Sequence, residues 1–266
     1  MSRYDRMFAG GQRNDGVFGG FLMLGDPDLE TSARLLDAMV EGGADMIEVG
    51  IPFSDPVADG PVIQAAAKRA LAAGVKVEDC FQLIAAFRVR HPDVPVGILT
   101  YANLVLSPGR EEFFRRAARA GADSLLVADL PAREAEPWAK EMIAAGLDPV
   151  LIAAANTPKE TLKEIARLGR GYTYCVTRVG ITGVHAAGTF DQRLLEGLKE
   201  VGAPPPVFGF GISQPEHVSA AMRAGAAGVI TGSAIVACLD QPDPEAAVRD
   251  LVTRLKAGTR NDSAAR

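Results

Sequence analysis

Glu41-Gly42-Gly43-Ala44-Asp45-Met46-Ile47-Glu48-Val49 joins the glycine end of a helical segment to a short apolar run in very few residues. A helix that stops at glycine and feeds a continuous apolar strand is the αβ half of a parallel β/α unit. The phrase recurs as Ala120-Gly121-Ala122-Asp123 before Ser124–Val127 and as Ala145-Gly146-Leu147-Asp148 before Pro149–Ile152. A fourth copy, Ala224-Gly225-Ala226-Ala227, precedes Gly228-Val229-Ile230. Further apolar runs at Val17–Leu24, Val96–Tyr101, Gly171–Val176 and Val207–Phe210 bring the expected strands to about eight.

Eight continuous apolar strands alternating with helices predict an α/β fold, a single (β/α)8 TIM barrel with additional helices, with a doubly wound open sheet as the alternative. Asp28–Ala38, Pro61–Ala73 and Glu78–Arg90 read as helices, so the second unit carries two, and the extra length is expected on the outside of the barrel. Thr157-Pro158-Lys159-Glu160 and Ser213-Gln214-Pro215-Glu216 each read as a capping-box helix start. The barrel is expected over residues 1–258, with a polar, disordered tail over 259–266.

With 266 residues, of which 48% are hydrophobic, the chain can bury a large core. A net charge of −5, with no run of Lys or Arg, offers no footprint for nucleic acid or an anionic membrane. Met1–Gly20 contains no uninterrupted apolar stretch, which predicts a cytoplasmic protein. The three cysteines, Cys80, Cys175 and Cys238, are widely spaced and form no CxxC pair, so neither disulfides nor structural zinc is expected.

Barrel active sites form at the C-terminal ends of the strands. Glu48 lies inside an apolar run, where desolvation raises a carboxyl pKa toward the range useful for proton transfer; a salt-bridged or outward-facing Glu fits the position equally well. The loop from Gly50 to Pro61 holds Asp55, Asp59 and three prolines. Asp59 also fits as a cap for the helix at Pro61, and Asp55 as a turn residue. Two glycine turns, Phe210-Gly211-Ile212-Ser213 and Thr231-Gly232-Ser233-Ala234, follow the seventh and eighth strands, where backbone N–H groups can cradle phosphate. The long loop Thr177–Thr189 reads as a lid.

No lysine falls at a predicted strand end, and His91, His185 and His217 lack metal-ligand spacing. A C–C cleavage here would need general acid-base chemistry on a substrate that brings its own electron sink.

The stretch Ile47-Glu48-Val49-Gly50-Ile51-Pro52-Phe53-Ser54-Asp55-Pro56-Val57-Ala58-Asp59-Gly60-Pro61 resembles the signature of the tryptophan synthase alpha chain family. In order after it, Tyr101-Ala102-Asn103, Val127-Ala128-Asp129-Leu130-Pro131, Gly169–Tyr174, Gly180-Ile181-Thr182-Gly183, Gly209–Ser213 and Gly232-Ser233-Ala234 are similar to that family too. The resemblance implies a lyase that splits indole-3-glycerol phosphate into indole and glyceraldehyde 3-phosphate by a retro-aldol step. Protonation of indole C3 gives an indolenine whose nitrogen accepts the electrons of the breaking bond.

By that resemblance Glu48 carries protons to C3 and from the glycerol hydroxyl, while Asp59 accepts the indole N–H and offsets its positive charge. Phe21, Leu99 and Ala128 are placed beside the indole and Tyr174 near the glycerol chain. Gly183, Gly211, Gly232 and Ser233 are placed around the phosphate, and Thr182 in the lid positions Asp59. The family implies no cofactor on this chain, and a beta-chain partner that carries pyridoxal phosphate within an alpha2beta2 heterotetramer. Pro52, Asp55 and Asn103 are then expected at the docking surface. A stand-alone indole-releasing lyase and another phosphate-binding barrel enzyme are the competing readings. Thr177, Ala153-Ala154-Ala155 and Val184-His185-Ala186-Ala187 depart from the family pattern.

Overall fold

The computed structural model describes residues 1–10, 15–176, 190–209 and 211–260. Nine parallel strands form the wall: β1 (Val17–Met23), β2 (Met46–Gly50), β3 (Val96–Thr100), β4 (Ser124–Val127), β5 (Asp148–Pro149), β6 (Leu151–Ala154), β7 (Thr173–Val176), β8 (Pro206–Phe208) and β9 (Gly228–Thr231). Their order, β5-β4-β3-β2-β1-β9-β8-β7-β6, follows the chain around a ring. Only Val150 separates β5 from β6, and its N–H donates to the Leu125 carbonyl at 3.0 Å. The two short segments therefore act as one wall strand, paired to β4 on one side and β7 on the other, and the barrel has eight staves. A ring with sequential neighbours has no switch point, which removes the doubly wound alternative.

Among the described residues the helices are α1 (Arg3–Ala9), α2 (Leu29–Glu41), α3 (Pro61–Ala72), α4 (Val77–Arg90), α5 (Ala102–Leu106), α6 (Arg110–Arg119), α7 (Glu136–Ala144), α8 (Lys159–Leu168), α9 (Gln192–Glu200), α10 (Pro215–Ala224), α11 (Ser233–Ala237) and α12 (Pro244–Ala257). No described helix is long and apolar enough to cross a membrane.

The recurring phrase has a mechanical meaning. Gly43 and Gly121 end their helices at φ 98° and 92°, a left-handed conformation that favours glycine. Two residues later an aspartate reaches across to the start of the neighbouring strand. Asp45 accepts from Phe18 N at 2.7 Å, and Asp123 from Val96 N at 2.8 Å. Each such bond to a charged acceptor contributes roughly 1.5–3 kcal/mol and fixes strand register at the N-terminal end.

Side chains alternate between two cores. Phe18, Leu22, Ile47, Val49, Ile98 and Leu125 face the helices, whereas Phe21, Met23, Met46, Leu126, Tyr172, Tyr174 and Ile230 fill the barrel. That alternation puts Glu48, in register with Phe21 and Gly97, inside the barrel.

Helix α1 was not anticipated. Ser2 and Asp5 form a capping box at its start. Its Tyr4 is buried in the lower barrel, with Oη 2.8 Å from Ser124 Oγ and its ring 5.4 Å from that of Tyr172. Arg3 bridges to Asp123 at 2.8 Å, so α1 closes the N-terminal end.

Several expectations need correction. Helix α3 does not lie outside: Ile63, Ala66 and Ala67 join the cluster that holds Phe21 and Met23, because the Ala-rich face is small enough to settle over the barrel mouth. Only α4 packs outside, against α2 and α6. Neither capping box in the later helices forms. The N-caps are Pro158 and Gln214. Thr157 Oγ1 accepts instead from Ala154 N at 2.8 Å, and Ser213 N points to His217 Nδ1 at 3.3 Å. Each helix starts one residue later than expected, which takes Thr157 and Ser213 out of the N-cap position. Of the expected tail, Thr259 is buried and its carbonyl accepts from Gly16 N at 3.0 Å, while 261–266 lie outside the described residues.

Candidate active site

Glu48 sits midway along β2 with 1% of its surface exposed. Its Oε1 accepts a 2.8 Å hydrogen bond from Tyr172 Oη, while Oε2 has no partner among the described residues. Burial pushes its carboxyl up to about 7, the Tyr172 bond pulls the other way, and the charge of Asp59 adds to the rise. Neither the salt-bridged nor the outward-facing reading of Glu48 survives. The carboxyl is buried, raised toward neutral pH, and keeps one oxygen without a partner among the described residues.

The loop after β2 brings the second carboxylate over the first. Asp59 does not cap α3: the N-cap is Gly60, with no side-chain cap bond. Its carboxylate instead accepts from the Tyr101 hydroxyl, a bond that opposes the upward push of burial on its pKa. Tyr101 also accepts from Ala58 N at 3.2 Å, and Phe53 stacks on its ring at 5.3 Å. Gln64 Nε2 donates to the Asp59 carbonyl at 2.8 Å. The loop is thus fixed by aromatic stacking below and by the first turn of α3 beside it.

Around this pair the strand ends are apolar. Phe21 and Tyr174 are buried, and Leu99, Ala128, Ile152 and Val176 are half-buried parts of the same cluster. Tyr174 Oη donates to the Gly209 carbonyl at 3.3 Å, and its ring lies so close to Gly209 that an added Cβ would sit 1.9 Å from Cζ. Next to these, Gly232, exposed Ser233 and Gly211 (φ 77°) occupy the turns after β9 and β8. An added Cβ at Gly232 would lie 3.2 Å from Phe21, which brings that turn next to the apolar lining.

Thr182 and Gly183, with the whole expected lid from Thr177 to Thr189 and with His185, lie outside the described residues, as does Phe210. Asp55 and Asn103 are exposed, but Pro52 is buried beneath the loop and shapes its start rather than its surface. His91 pairs with Asp37 at 2.8 Å, and His217 is occupied by Ser213. Among the described residues no group of three or more His, Cys, Asp or Glu is placed to hold a metal ion.

Sequence reasoning missed four residues here: Tyr172 and Tyr101, which partner the carboxylates, and Ile152 and Val176 in the lining. Period-two alternation from Tyr174 would have found Tyr172 and Val176. Nothing local marks Tyr101 as the partner of Asp59.

The sequence profile of the family described as tryptophan synthase alpha chain matches residues 8–264. A relative named tryptophan synthase alpha chain from Klebsiella pneumoniae is 48% identical over 98% of this chain and 99% of its own length. One of the same name from Escherichia coli is 46% identical, covering 98% and 100%. Among solved structures, a chain from Aquifex aeolicus VF5 superposes with a TM-score of 0.90 at 34% identity, covering 98% of this chain and 100% of its own. A chain of Mycobacterium tuberculosis tryptophan synthase gives 0.89 at 32% identity, covering 98% and 99%. On sequence, fold and length alike, the chain belongs to the tryptophan synthase alpha chain family.

Proposed function

We propose that Glu48 and Asp59 divide the work of the family's lyase reaction, the cleavage of indole-3-glycerol phosphate to indole and glyceraldehyde 3-phosphate. The observation that carries this reading is the buried Glu48 carboxyl, raised to about 7 by burial and by the charge of Asp59, with Oε2 unpartnered among the described residues.

The protonated Glu48 gives its proton to indole C3. The resulting carboxylate takes the proton of the glycerol hydroxyl next to C3. The C–C bond breaks toward the ring nitrogen, an aldehyde forms, and aromatic indole leaves with the new hydrogen on C3. Throughout, Asp59 stays ionised and holds the charged indolenine N–H, a gain made only along the reaction path. Of the two carboxyls, Glu48 is the one buried beyond the reach of water, and it therefore keeps the proton. Phe21, Leu99, Ala128, Ile152 and Val176 exclude water from the indole, and Tyr174 lies toward the glycerol chain. Backbone N–H groups at Gly183, Gly211, Gly232 and Ser233 take the phosphate, and Thr182 positions Asp59.

The alpha chain of this family works without a cofactor, and pyridoxal phosphate belongs to the beta subunit. A beta chain is the partner we infer here, in an alpha2beta2 assembly that receives the indole in the cytoplasm. Val57 and Leu106, at 74% and 52% exposure, stand beside Asp55 and Asn103 on the mouth side and support an apolar docking surface there. An indole-release assay on the purified chain, with and without a beta subunit, tests this. Strong stimulation is expected. Equal rates with and without beta would select a stand-alone lyase.

A further inference from the structure

Helix α3 starts directly after Asp59-Gly60, and how it is held decides where Asp59 stands. Its first turn grips the loop through Gln64, whose Nε2 reaches the Asp59 carbonyl at 2.8 Å. Its start has no side-chain cap, and its buried face is Ile63, Ala66, Ala67 and Ala70. A face of alanines offers shallow ridges, so packing alone resists sliding of the helix only weakly.

The far end carries the missing restraint. Arg69, eight residues past Pro61 and about 12 Å along the axis at 1.5 Å per residue, meets Asp26 in the loop after β1. Arg69 Nε donates to Asp26 Oδ1 and Nη2 to Oδ2, both at 2.7 Å. Asp26 is 0% exposed, and among the described residues Arg69 is its ion-pair partner. A two-point fork fixes direction as well as distance, which a single charge does not. Asp240, just past α11, adds a second negative charge near Arg69.

We propose that the Asp26–Arg69 pair is a positioning device for the reaction: it sets α3 along its axis and so sets Asp59 against the substrate nitrogen. Neither residue touches substrate. Both act through the helix and Gln64. The proposal rests on the reading of Asp59 as the charge-holding carboxylate. Misplacement of a reacting group by about 1 Å costs on the order of 10²-fold in rate.

The test uses the full-length chain and steady-state indole release, with rates normalised to folded protein by circular dichroism. Arg69→Met should lower kcat at least about tenfold while KM for indole-3-glycerol phosphate stays within about threefold. Arg69→Lys, which restores charge without the fork, should recover part of the loss. In an Asp59→Asn background, Arg69→Met should add less than about a twofold further loss, because there is no charge left to place. Should Arg69→Met fail to fold, Asp26→Asn combined with Arg69→Gln leaves no lone buried charge and carries the same expectations. A normal kcat in the folded Arg69 variant, or a full multiplicative loss in the Asp59→Asn background, overturns the proposal alone. A near-normal Asp59→Asn overturns the reading of Asp59 and the proposal with it.

Discussion

Replacing Glu48 by glutamine should change the pH dependence of folding stability by a calculable amount. The carboxyl titrates near 4.5 when unfolded and is raised to about 7 in the barrel. Between those values the folded state holds a proton that the unfolded state releases. Stability from this group is therefore complete below pH 4.5 and lost as pH rises through 7. The loss is about 2.5 pKa units at 1.36 kcal/mol each, roughly 3 kcal/mol by pH 8. Glu48→Gln keeps the acceptor for Tyr172 Oη and removes the titration. Any fixed cost of the buried amide N–H is the same at every pH. Urea unfolding of both proteins at pH 4.5, 6, 7 and 8 isolates the effect: the variant should gain on the natural protein by about 3 kcal/mol across that range. Parallel stability curves would mean that Glu48 is not desolvated and would remove the physical basis of its proton-carrying role.

Asp59→Asn should lower turnover by far more than tenfold, since a neutral amide cannot offset the indolenine charge; a fall of less than tenfold, worth about 1.4 kcal/mol, would refute that role. Because the active form needs Glu48 protonated and Asp59 ionised, kcat against pH should be bell-shaped with its alkaline limb near 7. Tyr172→Phe removes a hydrogen bond that favours ionised Glu48 and should move that limb upward by roughly one unit, whereas an unmoved limb would assign it to another group. Gly209→Ala places a methyl 1.9 Å from the Tyr174 ring and should cost at least about tenfold in kcat, and unchanged kinetics would show that Tyr174 need not hold its position.

The barrel was legible because the Gly-Ala-Asp phrases and the apolar runs are local signals with local causes: a helix that must end, an aspartate within reach of the next strand, a strand buried on both faces. What escaped is long-range. Tyr172 lies 124 residues from the Glu48 it bonds, and Tyr4, near the N-terminus, reaches Ser124 in the lower barrel. The placement of α3 over the mouth depends on how an alanine face meets Phe21 and Met23, which no pattern within residues 61–72 records. Asp59 shows the same division. As a residue before Gly-Pro it looked like a cap, and only the fold brings Tyr101 to its carboxylate.

The most direct test of the central claim is indole release by Glu48→Gln, measured beside substrate binding by the same protein. Glutamine keeps the shape and the Tyr172 contact and cannot carry a proton. Substrate should still bind within a few-fold of normal, and indole release should fall to the background of the assay. Turnover within tenfold of the natural chain would contradict the account, because the proton that reaches indole C3 would then come from somewhere other than Glu48.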